Sequence, residues 1–223
     1  MPRASTPTFP GCPNPIPVSQ RVLLLFAHPA IHKSRANRAL FAAAQAVDGL
    51  TLRNLYEIYP DFLIEVPAEQ RLLESHDVVV LQHPFYWYSA PSLVKEWLDL
   101  VFQPGWAYGE GGVALRGKVM LQAVTTGGSA EVYCESGRHG HTVRDFLLPY
   151  EQSARLCGMR YLAPFVVHGV GHLDDAALAA QSRDYARVLS SLREGTLDLE
   201  AATAARCLNV PGSVLQPRSR NSP

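Results

Sequence analysis

The chain has no surplus of charge of either sign: Lys and Arg together number 20, and so do Asp and Glu. A surface built for nucleic acid shows a basic excess, so that partner is excluded. An acidic carrier steered to its partners by charge is disfavoured on the same ground. Cysteine is scarce. The four present, Cys12, Cys134, Cys157 and Cys207, lie far apart with no CxxC spacing. That leaves no disulfide framework and makes a reducing cytoplasm the expected compartment. His28 and His32 flank a proline-containing loop with no carboxylate or cysteine at ligand spacing, so no metal is expected. No apolar run reaches the roughly 18 residues that cross a bilayer. The opening "MPRASTPTFPGCPNPIPVSQ" is broken by prolines and lacks the apolar stretch of a signal peptide. Walker A, GxGxxG and GxSxG patterns are all missing.

What the chain does hold is alternation. "RVLLLF", from residue 21, is short and continuously apolar, as a strand buried on both faces must be. The loop "AHPAIHKSRAN" leads into a helix running to about Gln45, with Ala39, Leu40, Ala43 and Ala44 at helical spacing. "TLRNLYEI" is a second strand, less apolar and so nearer an edge; "AEQRLLES" is a short helix; "DVVVLQ" is a third, buried strand. Then follow "HPFYWYSAP", the helix "SLVKEWLDLVF", the strand "KVMLQAV", the helix "TVRDFLLPYEQSARLCG" and the strand "RYLAPFVVHG". A last helix starts at Asp174 or Asp175 as N-cap.

Five strands alternating with helices make an α/β chain, a five-stranded parallel sheet with helices on both faces. The flavodoxin-like order 2-1-3-4-5 is the expected topology, with its ligand beyond the carboxyl ends of the strands, where the order reverses. This domain spans residues 21–195. Residues 1–20 form a disordered Pro-rich leader and 196–223 a mostly irregular tail.

The loops after strands 1, 3 and 4 hold the least ordinary residues. The first carries His28, His32, Ser34 and Asn37 into a helix start, where free amides and partial positive charge suit a phosphate. Ser34 is equally a plain N-cap. The second places Phe85, Tyr86, Trp87 and Tyr88 in succession. Four consecutive rings cannot all enter one core, so some must line a cleft or a partner surface. The third is "TTGGSAEVYCESGRHG". Its adjacent Gly127 and Gly128 permit positive φ and remove both Cβ atoms, while Thr125 and Thr126 offer hydroxyls. An ordinary glycine turn explains it as well. Together the loops offer a phosphate seat, an aromatic wall and a bare-backbone floor, the three things a flavin needs.

"AHPAIHKSRAN", "YPDFLIEVPAEQ", "LQHPFYWYSAPSLVKEWLDLVFQPGWAYGEGG" and "TTGGSAEVYCESGRHG", in this order, resemble the NAD(P)H:quinone oxidoreductase family of flavodoxin-like flavoproteins. The likeness extends to the ancillary oxidoreductase subunit of bacterial glutathione-gated potassium-efflux systems. The resemblance implies that His28, Ser34, Arg35, Ala36 and Asn37 hold the flavin phosphate. It implies that Phe85, Tyr86, Trp87 and Tyr88 border the ring, and that Thr125, Thr126, Gly127 and Gly128 lie against its polar edge. Tyr133 and His139 match a tyrosine and histidine that lie over the flavin and assist hydride transfer. The activity implied is ping-pong two-electron transfer from NAD(P)H through FMN to quinones. FAD is the alternative cofactor, less expected because the chain has no counterpart of the longest members' C-terminal domain. A homodimer is implied too. Two other roles remain open: a regulatory subunit docked on a potassium-efflux antiporter at the inner membrane, and a one-electron carrier, which the balanced charge disfavours.

Overall fold

The computed structural model describes residues 19–209; residues 1–18 of the expected leader and 210–223 of the expected tail lie outside them. Three strands form the centre: β1 (Val22–Phe26), β3 (Val78–Pro84) and β4 (Val119–Thr125), each buried along its whole length. Strand β2 (Leu50–Asn54) is half-buried throughout and lies at the edge, as its more polar sequence requires. The order is β2-β1-β3-β4-β5, all parallel.

Period-two alternation sorts the apolar residues onto two faces. Val22, Leu24, Val80 and Leu121 meet Leu40 of α1 (Arg35–Gln45) and Tyr185, Val188 and Leu192 of α7 (Asp175–Arg193). Leu23, Leu25, Leu81 and Val124 meet Leu73 of α3 (Val66–Ser75) and Trp97 of α4 (Ser92–Val101). A buried carboxylate lies in that second layer: Glu69 accepts from Arg53 at 2.5 Å, Tyr59 at 2.6 Å and the Trp97 indole at 3.0 Å. With three donors on it, the charge stays satisfied away from water.

Two stretches depart from the simplest reading. "TLRNLYEI" is strand only to Asn54, and Leu55–Ile58 is the short helix α2. The fifth strand is split into β5 (Arg160–Tyr161) and β6 (Phe165–Val167), both paired with β4. Three residues, 162–164, oppose two of β4, because Tyr161 pairs with Met120 and Phe165 with Ala123. This is a bulge, and Pro164, with no N–H to give the ladder, sits in it.

The groups freed there are taken up by the chain after Gly195, which is not wholly irregular. Helix α8 (Leu199–Ala204) accepts the Ala163 N–H at Ala202 O, and Leu208 N donates to Pro164 O. Asn209 closes the edge by binding both the N–H and the carbonyl of Val166. Among the described residues no helix is long and apolar enough to cross a membrane.

Candidate functional site

Beyond the carboxyl ends of β1, β3, β4 and β6, four loops enclose a cleft of about 650 Å³. The β1 loop supplies the start of α1. Ser34 is extended, and its Oγ accepts from Asn37 N at 3.2 Å and from Asn37 Nδ2 at 3.1 Å. Asn37 Nδ2 also donates to Thr125 Oγ1 at 2.8 Å, tying the β1 loop to the end of β4. From below, Gln82 donates to Asn37 O and accepts from Tyr185 OH. The amides of Arg35 and Ala36, in the helix's first turn, find no acceptor within the helix. Asn37 Oδ1 is buried and has no hydrogen-bond partner among the described residues.

His28 is buried, and its Nδ1 accepts from Ala30 N at 3.0 Å. The proton is therefore on Nε2. Burial, and after it the neighbouring His32, lower its pKa, so the imidazole is neutral and a donor rather than a cation.

The β3 loop puts one ring in and three out. Phe85 is 9% exposed, whereas Tyr86, Trp87 and Tyr88 are 42%, 93% and 45% exposed. Trp87 and Tyr88 have φ of 50° and 62°, and Ser89 N closes on Tyr86 O at 3.0 Å. Two successive positive φ values are the type I′ pattern, which favours Asn and Gly. Two aromatic residues hold it here at a strain of about 1–2 kcal/mol each.

In the β4 loop the glycines serve a purpose other than φ. Neither Gly127 nor Gly128 has a positive φ. A Cβ on Gly127 would enter open space, while one on Gly128 would meet Val132 Cγ2 at 2.8 Å and Tyr133 Cε2 at 3.0 Å. The first keeps the cleft wall bare; the second lets Tyr133 lie against the backbone. Tyr133 stacks on His139 with ring centres 4.6 Å apart and meets the edge of Phe85 at 5.7 Å. Burial, then the neighbouring Tyr88, raise the Tyr133 pKa, so its hydroxyl keeps its proton.

Of the residues singled out by sequence, His28, Ser34, Arg35, Ala36, Asn37, Phe85, Tyr86, Thr125 and Gly127 line the cleft. Trp87, Tyr88, Tyr133 and His139 do not line it; Tyr88, Tyr133 and His139 adjoin it as an aromatic cluster around Phe85 and Phe146, and Trp87 stands out in solvent. Thr126 and Gly128 lie behind the wall, where the Thr126 hydroxyl donates to Gly128 O at 2.7 Å. A fourth loop, residues 170–174, was not foreseen. Arg35 stitches it on, pairing with Asp175 at 2.9 Å and donating to Leu173 O. Its only sequence signal is "GVGHLDD", two glycines before a helix cap.

A sequence profile described as the flavodoxin-like fold matches residues 20–189. The chain belongs to this family. Three solved structures of similar architecture extend that statement. One is the general stress protein 14 of Treponema denticola in complex with FMN, 39% identical over 77% of this chain and 99% of that one, TM-score 0.72. Another is a thermophilic tryptophan halogenase from Streptomycin violaceusniger, 41% identical over 73% of this chain and 95% of that one, TM-score 0.72. The third is an NADPH-quinone reductase from P. pentosaceus, 29% identical over 75% and 96%, TM-score 0.69. This flavodoxin-like chain thus stands with the NAD(P)H:quinone oxidoreductases that its loops resemble.

Proposed function

We propose that the protein is a flavin-dependent NAD(P)H:quinone oxidoreductase that holds FMN in this cleft. One observation carries the reading: a helix start with free amides, an aromatic edge and backbone bare at Gly127 meet in a single cleft at the strand-order switch. The residues present fit the group. Lys33 lines the cleft without an ion-pair partner among the described residues, beside the amides of Arg35 and Ala36, and together they suit a phosphate dianion. The orphaned Asn37 Oδ1 suits a hydroxyl donor such as a ribityl chain carries.

When bound, the flavin supplies the redox step, taking a hydride from NAD(P)H and passing two electrons to a quinone. The chain's own residues bind and orient. His28 offers a neutral Nε2–H, and Phe85 and Tyr86 present apolar surface to a flat ring. Tyr133 keeps a hydroxyl proton within an aromatic cluster beside the cleft, and His139, stacked on it, can hold or move a proton at either ring nitrogen. The bare, 93%-exposed Trp87 indole supports a second copy of the chain covering this rim.

The first test is colour. The purified protein is expected to be yellow and to release FMN on denaturation; a colourless protein that takes up no flavin ends the reading. In stopped flow, Tyr133→Phe with His139→Gln is expected to slow at least one half-reaction, and unchanged rates would remove both residues from the chemistry. Trp87→Ser is expected to weaken dimers in sedimentation.

A further inference from the structure

Behind the floor of the cleft stands a histidine that the proposed reaction does not yet use. Thr125 pairs with Val167 in the sheet register, so Thr126 and His168 are the next residues out on β4 and β6. Backbone bonds lock the two loops together: Thr126 N donates to Val167 O, Val170 N to Thr126 O, and Gly169 N to Gly128 O. His168 Nδ1 lies 3.1 Å from Thr126 Oγ1. The Thr126 hydroxyl has one proton, and it goes to Gly128 O at 2.7 Å. Towards His168 that oxygen can only accept, so Nδ1 carries the imidazole proton and Nε2 is left as a base. Nε2 has no hydrogen-bond partner among the described residues.

The tautomer matters because protonation at Nε2 disturbs nothing. The Nδ1–H bond to Thr126 survives, and the ring gains a positive charge in place. His168 also lines a second cleft of about 370 Å³, with Ala130, Gln181, Cys207 and Asn209, which shares Leu173 with the first. Its ring also meets Tyr133, ring centres 5.8 Å apart, so Tyr133 contacts two imidazoles, His139 and His168.

We infer that His168 is the charge-compensating residue of the floor, taking a proton from water at Nε2 when negative charge arrives in the cleft and releasing it when that charge leaves. This inference rests on the flavin reading. Hydride transfer adds a pair of electrons and one proton to a neutral ring and so leaves net negative charge beside the floor. An N–H bond forms at Nε2 as an O–H bond of hydronium breaks, so imidazole and hydronium become imidazolium and water, with no change of oxidation state. His168 acts through Thr126 and position, without touching the reacting atoms.

The groups facing His168 permit this role. Burial lowers its pKa and Glu131, on the turn after β4, raises it, so it rests neutral but near a carboxylate. Cys207 is kept a thiol by burial; Gln181 and Asn209 are neutral; Tyr133 keeps its proton.

The test uses the full chain loaded with FMN, whose uptake is checked first and reports on the flavin reading alone. The bound FMN is then photoreduced in weakly buffered solution near neutral pH, and protons taken up are counted with a pH indicator. His168→Gln is expected to take up fewer protons per flavin than the unaltered chain, by as much as one, and Thr126→Val to share the loss. With isotope-labelled histidine, one imidazole of the unaltered chain is expected to titrate at higher pH after reduction, and that signal is missing from His168→Gln. Equal proton counts in variants that bind FMN normally overturn the inference and leave the flavin reading standing. If the variants do not fold, the unaltered chain decides: no imidazole titration moving upward on reduction overturns it. Failure to bind FMN overturns both.

Discussion

The rim of this sheet has two halves built on different principles. On the β1 side, directional hydrogen bonds tie the parts together: Tyr185 donates to Gln82, Gln82 to the Asn37 backbone carbonyl, and Asn37 Nδ2 to Ser34 and Thr125. On the β3 side, the Phe85, Tyr88, Tyr133, His139 and Phe146 side chains touch only as rings, and the turn that carries Tyr88 is strained at Trp87 and Tyr88. Hydrogen-bond geometry is directional and fixes position, whereas ring contacts of about 0.5–1.5 kcal/mol tolerate sliding. The first half is suited to hold a cofactor in one pose. The second is suited to admit flat substrates that differ in shape.

Acid should break the halves unequally, and by the largest amount. A titratable anchor stands at the base of the aromatic loop, the fully buried His83, whose Nδ1–H donates to Pro84 O at 2.9 Å while Nε2 accepts from Gln122, itself bonded by Tyr161. Burial lowers its pKa from 6.5 to about 4. Between those values the unfolded chain binds the proton and the folded one does not, so stability is complete above pH 6.5 and is lost as pH falls towards 4. The loss approaches about 3 kcal/mol, at about 1.4 kcal/mol per pH unit. The polar half holds mainly Ser, Thr, Asn and Gln. In its one comparable group, His28, burial also lowers the pKa, but it is less deeply buried than His83 and should add a smaller loss of the same sign. Urea melts from pH 7 to 4 should show the slope, and His83→Gln should flatten it.

Removing the link of the polar half tests it directly. Asn37→Ala removes the Nδ2 donor from the Thr125 and Ser34 hydroxyls and leaves a buried gap, while the backbone bonds Asn37 N to Ser34 Oγ and Gln82 to Asn37 O remain. The expected cost is about 2 kcal/mol in a urea melt, with FMN affinity down about tenfold to a hundredfold in a fluorescence titration. Tyr88→Ala should leave FMN affinity within a few-fold. Equal losses from the two variants would erase the contrast between the halves.

How much of this was legible in sequence follows the same division. The strand order, the β1 helix start and the ring-rich loop come from local period and composition, and "RVLLLF" or "HPFYWYSAP" announce themselves. The fourth loop does not. Its position depends on the one-residue bulge before Phe165 and on the reach of Arg35 to Asp175, both long-range. The role of Gly128 is equally non-local, since only the folded position of Tyr133 explains it. The turn at Trp87 and Tyr88 runs against local propensity, and such conflicts concentrate at sites where packing overrules it.

The two glycines divide the site more finely. Gly127→Ala places a methyl in open cleft space at an ordinary φ, so stability should be unchanged while FMN affinity falls about tenfold, roughly 1.4 kcal/mol. Gly128→Ala drives a methyl into Val132 and Tyr133. It should disturb Tyr133 and slow hydride transfer while sparing FMN affinity. Paired FMN titration and single-turnover kinetics check both; a common effect would mean that Tyr133 and the cleft wall move as one body.

The smallest effect probes the strained turn. Glycine occupies positive φ without a Cβ clash, so Trp87→Gly should relieve local strain of about 1–2 kcal/mol. Part of that gain returns as the greater entropy of an unfolded glycine, leaving a net stabilisation of a few tenths to about 1 kcal/mol. The indole is 93% exposed, so little packing within the chain is lost with it. A urea melt at low protein concentration reads the gain free of any partner. If the variant is instead destabilised by 1 kcal/mol or more under those conditions, Trp87 is held by contacts within its own chain. The aromatic half would then be as firmly built as the polar one.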